Sequence, residues 1–244
     1  MIVFLHGVPE TAALWDKVRA EFDEETVALS LPGFGCARPP GFGATKDDYA
    51  EWIIGELEQF DAPVDLVGHD WGALLAYRIA TTRADLLRSW SADCANGVHP
   101  KAKWHEYAQI WQTPGEGEAY FRAVHDAPIE DMAHAYEGFH LGYDDALTLA
   151  KWSDDTMATC ILDLYRSATP NVHHSWGAQF GPTAAPGLVL FAELDSFSHE
   201  GMSHEMAMTL NAREATLKDV GHWWALEAPS KAATVIKEFI HSID

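Results

Sequence analysis

The segment Gly68-His69-Asp70-Trp71-Gly72 constrains the fold of this chain more than any other stretch. It follows an apolar run, 64–67, that predicts a buried strand, and it opens a helical pattern that continues to residue 87. The two glycines let strand and helix approach closely around a sharp turn, which exposes the central side chain at the carboxyl end of the strand. In the commonest form of this small-x-nucleophile-x-small pattern the central residue is serine, whereas here it is aspartate.

Strand and helix patterns alternate in the first and last parts of the chain. Short apolar runs predict strands at 2–5, 27–29, 64–67, 87–92, 188–192 and 215–220. Helical spacing predicts helices at 12–22, 45–60, 71–87, 203–211 and 230–243, and Thr45 with Asp48 predicts a capping box at the second of them. Strict alternation is typical of an α/β fold with a parallel sheet between two helical layers. We therefore expect a mostly parallel sheet of about six strands.

The alternation stops between residues 95 and 178, where several helical stretches rich in Trp, Tyr and His are separated by prolines and glycines. An all-helical insert between two halves of one sheet predicts a cap above the carboxyl edge, where Asp70 lies. We therefore divide the chain into the first half of an α/β core (1–94), a helical cap (95–178) and the second half of the core (179–244).

Composition and charge exclude several classes of partner. With 37 acidic and 16 basic residues the net charge is −21, which would repel nucleic acid and anionic membranes. No apolar segment has the length of a membrane span or a signal peptide. The three cysteines are widely spaced, and the pair His173-His174 has no cysteine partner. We therefore expect no metal, no cofactor and a cytoplasmic location.

Four motifs make the chain similar to the α/β-hydrolase family, and specifically to its epoxide hydrolase and haloalkane dehalogenase branch. In chain order they are His6-Gly7-Val8-Pro9, Gly68-His69-Asp70-Trp71-Gly72, Ala192-Glu193-Leu194-Asp195 and Gly221-His222-Trp223. The resemblance covers nearly the whole chain. It implies the α/β-hydrolase fold, with the first two strands of that fold missing here. Strand 27–29 would then be an exposed edge, which predicts either a homodimer paired at that edge or a misassigned start codon.

The resemblance also implies a catalytic triad in the order nucleophile, acid, histidine, which Asp70, Asp195 and His222 fit. Each follows a predicted strand, so the three side chains should gather at one edge of the sheet. His222 would act as general base, and Asp195 would hold its tautomer. Asp93 follows the strand at 87–92 and is an alternative acid, because some dehalogenases take theirs from that position.

An aspartate nucleophile forms an ester with an alkyl carbon, and hydrolysis of this ester generates an oxyanion. The resemblance places the backbone N–H donors for that charge on Val8 and Trp71, and it implies a cis Val8–Pro9 bond. We expect the substrate pocket to include His6, Pro9, Trp111 and Trp223.

Two cap segments distinguish epoxide hydrolysis from dehalogenation. A halide leaves as an anion that N–H groups bind, whereas an epoxide oxygen leaves as an alkoxide that tyrosine O–H groups can protonate. Segments 106–115 and 162–166 resemble those that carry the ring-opening tyrosines of epoxide hydrolases, which places these tyrosines at Tyr107 and Tyr165. Val8 lacks the side-chain donor of many dehalogenases, although the Trp71 indole and a cap tryptophan could bind a halide.

The sequence therefore predicts an epoxide hydrolase that converts a small hydrophobic epoxide and water into a vicinal diol. A haloalkane dehalogenase with the same triad is one alternative. A non-catalytic receptor for small molecules on the same fold is another.

Overall fold

Six strands form one sheet in the computed structural model, which describes residues 1–243. They are β1 (Ile2–Leu5), β2 (Thr26–Leu29), β3 (Val64–Gly68), β4 (Leu87–Ala92), β5 (Gly187–Ala192) and β6 (Arg213–Leu217). The order across the sheet is β2-β1-β3-β4-β5-β6, and every neighbouring pair is parallel. The predicted parallel sheet is confirmed, and β2 lies at its edge.

Helices pack on both faces of this sheet. The α-helices are α1 (Asp16–Arg19), α2 (Lys46–Leu57), α3 (Trp71–Thr82), α4 (Glu106–Gln112), α5 (Glu116–Asp126), α6 (Ile129–Glu137), α7 (Tyr143–Trp152), α8 (Asp155–Ser167), α9 (Val172–Trp176), α10 (Glu200–Leu210), α11 (Trp224–Glu227) and α12 (Pro229–His241). No helix in residues 1–243 is both long and apolar enough to cross a membrane.

Strand β1 shows why the sheet is buried on both sides. Its side chains alternate, so Val3 and Leu5 pack into the core that contains α2 and α3, whereas Ile2 and Phe4 pack into the core that contains α12. Strand β1 is accordingly apolar at all four of its positions. Where a polar residue is buried in a neighbouring strand it is paired, as Asp65 is with Ser89 at 2.6 Å.

Three elements differ from their predicted bounds. The helix expected over 12–22 is a 3₁₀ turn followed by the four-residue helix α1. Helix α3 ends at Thr82, because a second 3₁₀ turn leads from it into β4. Strand β6 covers Arg213–Leu217 rather than 215–220, because Arg213 and Glu214 are exposed and interrupt the apolar pattern.

Helices α4 to α9 form a cap between β4 and β5, and the described chain has no strand in this segment. Polar contacts attach the cap to α2 and to the loop before it. The Trp176 indole donates to Asp47 Oδ1 over 2.8 Å, the Lys46 N–H donates to Ser167 Oγ over 2.9 Å, and Arg38 pairs with Asp163 at 2.7 Å. The division of the chain at residues 94 and 178 stays a prediction.

Candidate active site

A strained turn between β3 and α3 presents the Asp70 side chain. Asp70 has φ 51° and ψ −118°, a conformation that residues with a side chain rarely adopt. A Cβ atom on Gly68 would lie 2.5 Å from the Gly72 carbonyl oxygen, and one on Gly72 would contact the Leu5 and His6 carbonyl oxygens. Both glycines are therefore required by the close approach of α3 to strands β1 and β3.

Two backbone N–H groups stabilise the Asp70 carboxylate. The Val8 N–H donates to Asp70 Oδ1 over 2.8 Å, and the Trp71 N–H also stabilises the ionised form. Burial nevertheless raises the pKa of Asp70 to about 6, against the opposing charges of His222 and His69. Asp70 is thus a carboxylate above about pH 6, and both predicted oxyanion donors contact it.

The side chains that follow β5 and β6 form a second pair. His222 Nδ1 lies 3.1 Å from Asp195 Oδ2, and Asp195 also accepts hydrogen bonds from the Phe197 N–H at 2.8 Å and the Ser198 hydroxyl at 2.7 Å. Burial acts to raise the pKa of Asp195, but the His222 charge and these donors hold it well below its usual range. Burial acts to lower the pKa of His222, whereas the Asp195 charge acts to raise it. The net result is a pKa above the usual value. With Nδ1 bound to Asp195, Nε2 is the nitrogen that can take a proton.

A chain of buried ionisable groups, Glu10–His69–Asp93, lies behind the nucleophile. His69 Nδ1 is 2.6 Å from Asp93 Oδ2, and His69 Nε2 is 3.1 Å from Glu10 Oε1. Burial opposes the charge of His69, but the two carboxylates raise its pKa well above the usual value. Asp93 Oδ1 also accepts the Asp70 N–H at 2.9 Å. His222 is therefore paired with Asp195, whereas Asp93 holds His69 and the turn of the nucleophile.

Sequence reasoning missed Glu10, which is fully buried. Its carboxylate accepts the Gly7 N–H and the Trp223 indole N–H, each at 2.7 Å. The only indication in the sequence is its spacing from Gly7, because a carboxylate three residues after a turn residue can accept that residue's N–H group.

A cavity of about 660 Å³ lies between the cap and the carboxyl edge of the sheet. Asp70 and His222 line it from the core. The other predicted site residues that line it are Val8, Pro9, Tyr107, Trp111, Tyr165 and Trp223. The structure thus brings cap side chains to the same space as the nucleophile.

His6, which was expected in the substrate pocket, has a different position in the structure. It is fully buried and does not line the cavity. Its Nε2 accepts the Leu31 N–H at 3.1 Å, so the proton on Nδ1 is donated to the Gly7 carbonyl at 2.9 Å. Burial lowers the pKa of His6 to about 4, which keeps it neutral as a brace for the turn that carries Val8. The Val8–Pro9 bond in this turn is cis, as predicted.

The two tyrosines reach the cavity in different environments. Tyr165 is only 2% exposed, its ring packs edge-on against Trp71 at 5.3 Å, and burial together with the Asp70 charge raises its pKa well above the usual value. Tyr107 is 41% exposed, and its ring stacks on Trp111 at 6.3 Å. Tyr165 therefore lies deep in the cavity near the nucleophile, and Tyr107 lies nearer its opening.

Two buried triplets have the residue types of metal ligands. They are Glu10, His69 and His222, and Cys94, Asp195 and His222, with candidate ligand atoms within 4.8 Å of one another. Both triplets share His222, and their carboxylates already accept hydrogen bonds from other groups. The arrangement matches a proton-transfer pair better than a dedicated metal cage.

Comparison with known proteins agrees with this geometry. Residues 2–234 match the model of the alpha/beta hydrolase family. The chain belongs to this family. Epoxide hydrolase 3 of Xenopus tropicalis is 25% identical over an alignment of 271 positions including gaps, and the alignment covers 98% of this chain and 71% of that protein. A haloalkane dehalogenase of Mesorhizobium japonicum is 26% identical over 182 residues, which cover 69% of this chain and 52% of that protein.

Solved structures show the same fold. Epoxide hydrolase A from Mycobacterium thermoresistibile superposes with a TM-score of 0.80 at 19% identity, covering 98% of this chain and 91% of that chain. A haloalkane dehalogenase loop variant from Bradyrhizobium elkanii gives a TM-score of 0.74 at 21% identity, covering 99% and 90%. The predicted resemblance to both groups of hydrolases is confirmed, and these relatives support a hydrolase activity.

Proposed function

We propose that this hydrolase opens an epoxide to a vicinal diol through a covalent ester at Asp70. The observation that carries the proposal is an aspartate nucleophile, held by the Val8 N–H at 2.8 Å, in a cavity that the buried Tyr165 also lines. A carboxylate nucleophile favours attack at an alkyl carbon, with an ester as the product. A tyrosine hydroxyl favours a leaving group that departs through oxygen, because the hydroxyl can protonate that oxygen.

In the first step, Tyr165 and Tyr107 donate hydrogen bonds to the epoxide oxygen. The oxygen of Asp70 that Val8 does not hold attacks a ring carbon. The carbon–oxygen bond of the ring breaks as the ester bond forms, and the resulting alkoxide takes a proton from a tyrosine. The high pKa of Tyr165 keeps its proton in place until this charge develops.

In the second step, His222 takes a proton from a water molecule, which attacks the carbonyl carbon of the Asp70 ester. Asp195 stabilises the imidazolium that forms. The Val8 and Trp71 N–H groups receive the oxyanion. Collapse of the intermediate releases the diol, because His222 returns its proton to the departing oxygen. The second proton of the water remains on the new carboxyl group of Asp70, and its transfer through solvent to the tyrosinate restores both the carboxylate and the tyrosine.

Haloalkane dehalogenation is the second candidate, and one observation favours it. The indole N–H groups of Trp71 and Trp111 are buried and make no well-formed hydrogen bond within residues 1–243, although the Trp71 indole lies close enough to the Tyr165 hydroxyl to act on its pKa. Two such donors could bind a departing halide. Val8, however, offers no side-chain donor, and Tyr165 lies beside the nucleophile.

A single turnover in oxygen-18 water tests the proposal, with protein in excess over styrene oxide or, separately, 1-bromobutane. We expect styrene oxide to give an unlabelled diol and to leave the label in the peptide that contains Asp70. The peptide that contains the exposed Asp85 is the internal control.

Turnover of the bromide alone would replace the epoxide assignment by dehalogenation. Label in the first diol would show direct attack of water on the epoxide and refute the covalent step. Binding of both compounds without reaction would favour the receptor alternative.

A further inference from the structure

The charge that lines the cavity is opposite to the charge of the chain. The chain has 37 acidic and 16 basic residues. Among the described residues that line the cavity, however, Asp70 is the only carboxylate, whereas Lys101 and Lys103 are both cations. Both lysines are exposed and also line the cavity, so they lie where it opens to solvent. An anion repelled by most of the surface would be attracted to this opening.

Hydrogen bonds hold the loop that carries the two lysines. The Asn96 side chain donates to the Phe197 carbonyl at 3.0 Å, and the Asn171 side chain donates to the Ala102 carbonyl at 3.0 Å. The Lys101 N–H donates to His99 Nδ1, also at 3.0 Å. The loop therefore has a fixed path between the ends of β4 and β5, and it positions both lysines at the cavity.

An acidic group close to Lys101 does not line the cavity. Glu205 lies close enough to Lys101 for that lysine to lower the pKa of Glu205, but its carboxylate is paired with His99 at 2.9 Å. Lys103 makes no ion pair and no side-chain hydrogen bond within residues 1–243. The Lys103 ammonium is therefore available to a ligand.

The cap forms an apolar wall of the cavity. Phe121 of α5, Met132 of α6 and Phe139 line it with apolar side chains. The Phe121 ring stacks on Trp111 at 5.8 Å, and Trp111 packs edge-on against Tyr165 at 4.9 Å. This apolar wall is thus continuous with the tyrosine beside the nucleophile.

We propose that the substrate is an amphiphilic epoxide whose apolar body lies against the cap helices and whose carboxylate lies at Lys101 and Lys103. This inference rests on the proposed function for the reaction itself, and it adds the class of substrate. A hydrophobic epoxide without a charged end would fill only the apolar part of the cavity.

A matched pair of compounds tests this inference: 10,11-epoxyundecanoate and its methyl ester. We expect a kcat/KM about tenfold higher for the acid, because two partly exposed ion pairs contribute several-fold each. Raising the salt concentration should shrink this ratio, since salt screens exposed charges. In the double variant Lys101→Met/Lys103→Met the preference should disappear, so that the acid and the ester have equal kcat/KM. The double variant Lys151→Met/Lys218→Met makes the same change in net charge away from the cavity, and it should keep the preference.

Calorimetric binding of 10,11-dihydroxyundecanoate and its methyl ester separates the two proposals. Tighter binding of the acid, lost only in the Lys101/Lys103 variant, supports the anion site even if neither epoxide is hydrolysed, and in that case only the proposed function fails. Hydrolysis of both epoxides with equal kcat/KM and equal binding of both diols would overturn the anion site and leave the proposed function standing.

Discussion

Replacing Asp195 by asparagine keeps the shape of this side chain but removes the charge that faces His222. The two groups are buried and in contact at 3.1 Å, so their charge centres lie about 4 Å apart. At an effective dielectric constant of about 20 they attract each other by about 4 kcal/mol. At about 1.4 kcal/mol for each factor of ten, hydrolysis of the Asp70 ester should slow about 10³-fold, because its transition state forms the His222 imidazolium.

Ring opening does not use His222 in the proposed mechanism, so it should change little in Asp195→Asn. When this variant is mixed with styrene oxide, each protein molecule should rapidly gain one alkyl group, which intact mass spectrometry detects. Release of the diol should then be slow. Equal slowing of both steps would refute the assignment of Asp195 to ester hydrolysis. The same accumulation of ester in Asp93→Asn, with none in Asp195→Asn, would make Asp93 the acid.

Three further predictions follow from the site. Because burial raises the pKa of Asp70 to about 6, the single-turnover rate of ring opening should fall about tenfold per pH unit below that value, as the nucleophile becomes protonated. Tyr165→Phe should slow ring opening about 100-fold in the same assay, and more than Tyr107→Phe, whose hydroxyl is on an exposed side chain. Gly72→Ala should lower the free energy of unfolding by at least about 2 kcal/mol in chemical denaturation, because its Cβ would press on β1. Gly55→Ala, with open space around it, should not destabilise the fold.

The inner strands β1 and β5 could be predicted from the sequence because burial on both faces makes their runs almost wholly apolar. The start of strand β6 could not be predicted from an apolar pattern, because its first residues, Arg213 and Glu214, lie exposed at the edge of the sheet. The end of α3 at Thr82 also escaped prediction. Its apolar spacing continues through Leu86 and Leu87, which instead form the turn and the strand that follow.

The position of Asp70, Asp195 and His222 at one edge of the sheet could be predicted from the sequence, because each follows a strand and parallel strands end at one edge. Their role as a catalytic triad stays a prediction. The burial of Glu10 could not be predicted from the sequence, because it depends on contacts with His69 and Trp223, which are remote in the chain. The burial of His6 could not be predicted either, because the Leu31 N–H that binds its ring belongs to another segment of the chain.

Close packing around Asp70 limits which mutations this hydrolase can accept during evolution. A Cβ on Gly7 would collide with the Asp70 side chain, and one on Gly72 would collide with the end of β1. Few alternatives are therefore open at Gly7 and Gly72, because a larger residue at either position would also disturb folding. Cap side chains such as Phe121 and Met132 border the cavity, so a change of their size is met by open space on one side. New substrate preferences should accordingly arise by drift in the cap, with the chemistry beneath it left unaltered.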